Sequence, residues 1–248
     1  MKLRLDEVDS TNEYAKRLIA DGWSSEELSV VTAQYQTAGK GRRGRQWVSP
    51  PGTSLILSMF FKAGVDNDKC PMITLLAALA VRDALAGFGI KTDIKWPNDI
   101  IIDGRKICGI LTEAIPDKEY LIVGIGINLT CDAWPEELAD KATSVFMATG
   151  ECIDEDALLD AIMEAMEGYL KDFRENGDLS GLVDTYNEAL VSVGRQVTVE
   201  NPQGAYDGIC EGINSKGEML VRGEDGEVTT VYAGEVSVQG VYGYDKEK

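Results

Sequence analysis

The chain has 248 residues, 44% of them hydrophobic, and a formal charge of −18. That length supports one large core and a small second domain, and the acidity disfavours a nucleic-acid partner unless a local basic patch overcomes it. Histidine is absent, which removes Ser-His-Asp and Cys-His nucleophiles and the usual transition-metal sites, so chemistry must rest on Lys, Arg, Asp, Glu, backbone amides or a substrate-borne metal.

No apolar run in the sequence reaches membrane-spanning length, and none precedes a cleavage pattern. The expectation is a soluble, unprocessed, cytoplasmic protein without a membrane partner. Cys70, Cys108, Cys131, Cys152 and Cys210 are odd in number and none forms Cys-x-x-Cys, which predicts free thiols in a reducing compartment.

Leu3, Leu5 and Val8 predict a first strand. Asp9-Ser10-Thr11-Asn12-Glu13 reads as a helix start, with Ser10 and Glu13 at capping-box spacing. Tyr14, Leu18 and Ile19 give that helix its apolar face, and Asp21-Gly22 ends it. From spacing alone Ser10 is a plain cap, although free amides and hydroxyls at a helix start also suit a ligand carbonyl or anion.

Leu28 to Gln34 predicts a strand. The loop Gln36 to Trp47 follows, with Lys40, Arg42, Arg43 and Arg45 among Gly39, Gly41 and Gly44 in seven positions. Glycine admits close backbone approach, and Arg can hold phosphate bidentately. The spacing is not that of a Walker A loop. A solvated basic loop and a nucleic-acid patch remain alternatives. The phosphate of a small ligand is placed ahead, because the surrounding charge disfavours a long polyanion.

After the Pro50-Pro51-Gly52 turn, Thr53 to Phe61 predicts a strand with alternating faces. Pro71 to Phe88 reads as a core helix, too short and too interrupted by Arg82 and Asp83 to span a membrane. Lys95-Trp96-Pro97-Asn98-Asp99 then leads into a strand at Ile100 to Ile102, an Asp103-Gly104 hairpin turn, and a return strand from Lys106 to Leu111. Two ammonium groups and a carboxylate beside apolar strands are costly to bury without charged partners, which marks this stretch as a site.

Tyr120 to Leu129 predicts a buried strand with Gly124 and Gly126 on one face, a place for close approach by a ligand or backbone. No third glycine and helix follow, so a Rossmann site is rejected. Asp154 to Phe173 is an amphipathic helix ended by Asn176-Gly177, and Leu182 to Leu190 a shorter one. Beyond a boundary near Val191 to Gly194, alternating runs through Val238, with turns at Asn201-Pro202, Ser215-Lys216-Gly217 and Glu224-Asp225-Gly226, predict an antiparallel barrel or sandwich of about five strands. Tyr244 to Lys248 is expected to fray.

Five motifs, in order, carry a resemblance. Asp9 to Asn12, the Gln36 to Trp47 loop, Lys95 to Asp99, Arg105 to Ile110 and Gly124 to Asn128 resemble the motifs of biotin–protein ligases, with Lys40 in place of a usual Arg and Cys108 in place of Ala. The resemblance is to the monofunctional type lacking an N-terminal DNA-binding domain, and it implies no nucleic-acid partner. It also implies an α+β fold, in which a mixed-sheet, class II synthetase-like catalytic domain (1–190) precedes a small SH3-like β-barrel (191–242). The activity implied is ATP-dependent formation of biotinyl-5′-AMP, then transfer to a lysine of a biotin carboxyl carrier protein. Magnesium would enter bound to ATP, with no protein side chains assigned to it.

The same resemblance assigns Lys106, Arg42 and Asp99 to catalysis. Ser10, Thr11, Asn12, Gln36, Lys40, Gly41, Arg42, Lys106, Gly109, Gly124 and Gly126 are assigned to biotin. Lys40, Arg42, Arg43, Trp47, Lys95, Asn98 and Asn128 are assigned to ATP. Members of the family often pair through a sheet edge, so a homodimer is an expectation. The rival readings are a lipoate–protein ligase and a non-enzymatic nucleic-acid-binding module using residues 39–45.

Overall fold

The computed structural model describes residues 1–25, 27–62, 64, 69–134, 136–201, 204–232 and 237–239. The expected tail, Val236, Pro202 and residues 240–242 of the expected second domain lie outside these.

A seven-stranded mixed sheet in the order β1-β2-β3-β7-β6-β5-β4 organises the molecule. β1 (Lys2–Val8) and β2 (Ser29–Gln36) are parallel, so the chain must cross over between them, and α1 (Thr11–Ala20) is that crossover. The other neighbours, β3 (Ser54–Lys62), β7 (Tyr120–Asn128), β6 (Arg105–Ile115), β5 (Asp99–Ile102) and β4 (Asp93–Lys95), pair antiparallel.

β3 is buried on both faces rather than alternating between core and solvent. Leu55, Leu57, Met59 and Phe61 enter the large core with α2 (Cys70–Gly87) and α4 (Glu155–Asn176). Phe60 enters a second core beneath α1, with Ala15, Ile19 and Ile122. A central strand covered on both sides needs apolar residues throughout.

α2 has 18 residues and is apolar enough, by length and composition, to cross a membrane. The expectation that it is too short is therefore corrected. Its burial against the sheet and α4 is what makes it a core helix, and eleven of its residues are buried.

The Asp103-Gly104 turn has left-handed φ at both residues (48° and 74°), the two-residue turn that matches strand twist. The returning strand carries one extra residue. Ile100 pairs with Cys108, but Ile101 pairs with Lys106, leaving Ile107 as a bulge. Ile107 and Cys108 are thus both fully buried, and Lys106 comes to share a face with Gly109. The bulged backbone finds partners elsewhere: Lys106 N–H donates to Lys141 O (2.8 Å), and Thr143 N–H donates to Lys106 O (2.9 Å).

A short helix, α3 (Val145–Thr149), was not expected from the sequence; the Ser144 hydroxyl accepts from Met147 N–H at its start. The Asp154 carboxylate caps α4 by accepting from Ala157 N–H, and Gly177 (φ 79°) ends it. After α5 (Val183–Ala189) comes an antiparallel five-stranded sheet, β11-β10-β9-β8-β12. Its strands are β8 (Gln196–Asn201), β9 (Gly204–Ile213), β10 (Met219–Arg222), β11 (Val228–Val231) and β12 (Ser237–Gln239). Its inward residues Val197, Cys210, Met219 and Val221 join the large core. The Trp96 indole donates to Gly217 O (3.0 Å), tying this sheet to the segment just before Asn98.

Candidate active site

A cleft opens between the N-terminus of α1, the glycine-rich faces of β6 and β7, and the 39–47 loop. Three groups of residues shape it.

The floor is bare backbone. A Cβ on Gly126 would come within 2.5 Å of the Trp47 indole, and one on Gly124 would collide with the Asn12 side-chain oxygen. Glycine is required at both positions for Trp47 and Asn12 to lie flat against the sheet.

One end is polar and neutral. Gln36 Oε1 accepts from Thr11 N–H (2.7 Å) and lies 3.1 Å from the Thr11 hydroxyl. The Ser58 hydroxyl, fully buried on β3, is 2.6 Å from Asn12 Oδ1 and 2.7 Å from Thr11 Oγ1. Asn12 Nδ2 donates to Glu113 Oε2 (2.8 Å). The expected capping box is not formed. Ser10 makes no side-chain cap bond, and Glu13 instead accepts from Lys16 and Lys40, each at 2.7 Å. Two ammonium groups offer Glu13 stronger charge-assisted bonds than one backbone amide does.

The other end is cationic. Arg42 Nη1 donates to Asn98 Oδ1 (2.8 Å), and Asn98 Nδ2 donates to Ile110 O (3.1 Å), so the strand backbone aims Asn98 and Asn98 aims Arg42. Burial, with Arg43 and Arg45 adding and Asp99 opposing, holds the Arg42 guanidinium below its usual range. Lys106 Nζ is 2.6 Å from Asp99 Oδ1 and 5.9 Å from the centroid of the Trp47 ring. Partly buried cations held this way favour an arriving anion.

All eleven residues assigned to biotin line this one cleft, as do Lys40, Arg42, Trp47 and Asn98 of the ATP set. Lys40 lines it while its ammonium pairs with Glu13. Three ATP-set residues do not line it. Arg43 sits exposed at the left-handed turn of the loop (φ 56°). Asn128 is buried, donating to Thr143 O (3.2 Å), and so braces the segment that supports the Lys106 bulge. Lys95 lies behind, in β4. The sequence reading did not find Ser58 or Glu113. Ser58 is one hydroxyl inside an apolar strand, and Glu113 lies beyond the recognised motif, so neither gave a local signal.

Burial pushes the Lys95 ammonium down to about 8; Lys106 and Arg45 add to this and Asp99 opposes it. A lysine whose folded pKa lies below its unfolded value costs stability while it is charged in the fold. That cost is complete below pH 8 and is relieved as pH rises towards 10.5. Lys95→Met is therefore expected to stabilise the apo protein at pH 7 by roughly 3 kcal/mol, with the advantage fading above pH 8. Denaturant midpoints of the two proteins across pH 6.5–10.5 test this, and a difference independent of pH would refute it.

The family model for the biotin/lipoate A/B protein ligase family matches residues 5–129, half of the chain and every residue that lines the cleft. The chain belongs to the biotin/lipoate A/B protein ligase family. A second model, the biotin protein ligase C-terminal domain, matches residues 193–239 of this ligase. Over 239 residues it is 34% identical to the bifunctional ligase/repressor BirA of Bacillus spizizenii, covering 94% of this chain and 72% of that one. It is 32% identical to the biotin–[acetyl-CoA-carboxylase] ligase of Paracoccus denitrificans, covering 90% of this chain and 94% of that one. Among solved structures, a biotin protein ligase from Aquifex aeolicus in complex with biotin and ATP superposes with a TM-score of 0.84 at 30% identity. That match covers 96% of this chain and 98% of that one. The expected fold is thereby met: a mixed-sheet α+β ligase domain followed by a small antiparallel unit.

Proposed function

We propose that this protein is a biotin–protein ligase that uses ATP to form biotinyl-5′-AMP and passes the biotinyl group to a lysine of a biotin carboxyl carrier domain. One observation carries the reading: a single cleft joins a neutral hydrogen-bonding end to a cationic end across a glycine floor. Biotin has that polarity, with a neutral ureido ring at one end and a carboxylate at the other.

In the first half-reaction the biotin carboxylate attacks the α-phosphorus of ATP and pyrophosphate leaves. Both partners are anions, so cations must screen their approach. Lys106 stands where carboxylate and phosphate meet, and Arg42 holds phosphate from the loop side. In the second half-reaction the carrier lysine attacks the acyl carbon of the mixed anhydride and AMP leaves. Asp99, paired with Lys106, orients that ammonium and receives the incoming amine. Lys40, already paired with Glu13, holds the loop to α1. Arg43 and Lys95 act on the nucleotide from outside the cleft lining, and Asn128 acts only through the segment it braces beneath the Lys106 bulge. Among the described residues no His/Cys/Asp/Glu cluster could hold a metal ion. In this reading magnesium would arrive as an ion carried by the nucleotide phosphates, where it would screen their charge.

The remaining parts of the proposal follow from charge and cysteine state. A net charge of −18 suits a protein carrier better than a nucleic acid. Free cysteines suit the cytoplasm. The five-stranded C-terminal unit is read as SH3-like, and a homodimer through a sheet edge completes the proposal.

Pyrophosphate release measured with biotin and then with lipoate tests the assignment. Biotin-dependent release is expected, and release with lipoate alone would overturn it. Gly124→Ala drives a methyl group into the Asn12 amide. It is expected to raise KM for biotin at least roughly tenfold, the cost of displacing one buried hydrogen-bonding group, with KM for ATP little changed. Equal effects on both substrates would place Asn12 elsewhere.

A further inference from the structure

Behind the neutral end of the cleft stands a carboxylate that none of the cleft-lining residues includes. Glu113 projects from β6 and accepts from Asn12 Nδ2 (2.8 Å) and from Lys16 Nζ (2.8 Å), and Lys16 in turn donates to Glu13. An ionised carboxylate can only accept hydrogen bonds. That single fact sets every proton in the chain of groups before it.

Because Glu113 accepts, the Asn12 amide must present its NH₂ to β6. Its carbonyl oxygen therefore faces Ser58. Ser58 has one hydroxyl proton, and Asn12 Oδ1 at 2.6 Å can only accept it. The 2.7 Å contact between Ser58 and Thr11 must then be made with the Thr11 proton, whose other available acceptor is Gln36 Oε1 at 3.1 Å. Gln36 Oε1 is itself fixed as an acceptor by Thr11 N–H. With its proton committed inside the network, Thr11 Oγ1 turns a lone pair to the cleft. Ser58 is fully buried and Asn12 and Thr11 nearly so, so water has little access to scramble this order.

We infer that Glu113 is a positioning residue which, through Asn12, Ser58 and Thr11, makes this end of the cleft accept hydrogen bonds and so selects a ligand head that donates N–H. The inference rests on the biotin reading and deepens it: the ureido N–H groups are the selected feature, and a dithiolane head offers none. Lys16 pairs with Glu113 at 2.8 Å and needs no contact with substrate.

Calorimetric titration of biotin, of biotin methylated at its ureido nitrogens, and of ATP into wild type, Glu113→Ala and Glu113→Gln tests it. Glu113→Ala is expected to weaken biotin roughly 10- to 100-fold, the range for an unsatisfied buried polar group, while ATP affinity holds. Glu113→Gln can still offer an oxygen to Asn12 and should stay within roughly threefold of wild type, as one neutral acceptor replaces another. Ureido methylation should weaken binding to wild type at least roughly tenfold, but much less to Glu113→Ala, because coupled groups give non-additive penalties. Thr11→Val, which leaves Glu113 in place and removes the accepting oxygen itself, should also lose the methylation penalty, and it serves if Glu113→Ala does not fold. Unchanged biotin affinity in Glu113→Ala, an undiminished methylation penalty in both variants, or equal loss of ATP affinity would each overturn the inference. A folded wild type that binds ATP but no biotin would overturn the biotin reading itself, and this inference with it.

Discussion

Lys106→Met is expected to lower turnover by roughly 10²–10³-fold in both half-reactions while the protein stays folded, as for loss of a single well-placed electrostatic donor. Methionine keeps most of the aliphatic stem, which lies over Gly109, and removes only the ammonium. That ammonium is fixed from two sides, by Asp99 at 2.6 Å and by the face of the Trp47 indole at 5.9 Å. It therefore needs no reorganisation when charge develops between carboxylate and phosphorus. A group acting mainly in the transition state should depress kcat and kcat/KM together. Pyrophosphate release reports the first half-reaction, and transfer from preformed biotinyl-5′-AMP reports the second. Near-wild-type rates in both would remove Lys106 from the mechanism. Loss in the first alone would confine its role to adenylation.

The second large effect concerns retention rather than rate. A mixed anhydride must be shielded from water and stray amines until the carrier arrives. Arg42 is the cation of the 39–47 loop that reaches over the cleft and is aimed by Asn98. Arg42→Gly removes that charge from a segment already rich in glycine, and so loosens the loop as well as its grip on phosphate. A hydrogen bond to a charged group contributes about 1.5–3 kcal/mol, so the adenylate should leave roughly 10- to 100-fold faster. The expected signature is biotin on lysines of an unrelated bystander protein, with adenylation itself only moderately slowed. If the variant labels bystanders no faster than wild type, the loop does not retain the intermediate.

The sequence and the structure divide the cleft between them in an instructive way. The hairpin was legible because Asp103-Gly104 states its own dihedrals, and α4 was legible because Asp154 and Gly177 cap it locally. The capping box at Ser10 and Glu13 was misread for a long-range reason: Lys40, 27 residues away, competes for Glu13 with a full charge. The membrane-length test on α2 failed from the sequence for a similar reason, since burial by α4 is not written in α2 itself. Ser58 and Glu113 gave no local signal at all, being a small hydroxyl in an apolar strand and a half-buried carboxylate past a motif's end.

The Lys95 to Ile110 stretch shows where the division falls. By itself the sequence determined that two ammonium groups and a carboxylate would lie on a hairpin beside apolar strands, because β-branched residues and a two-residue turn specify that locally. It also suggested an anion as the partner, since the basic loop is an island in an acidic chain. Which way Lys106 points was decided only by the tertiary structure. In an unbroken strand Lys106 would share a face with Cys108 and Ile110, both in the core. The Ile107 bulge reverses it towards Gly109 and the cleft, and the bulge persists because the 141–143 segment supplies the backbone hydrogen bonds that β5 does not.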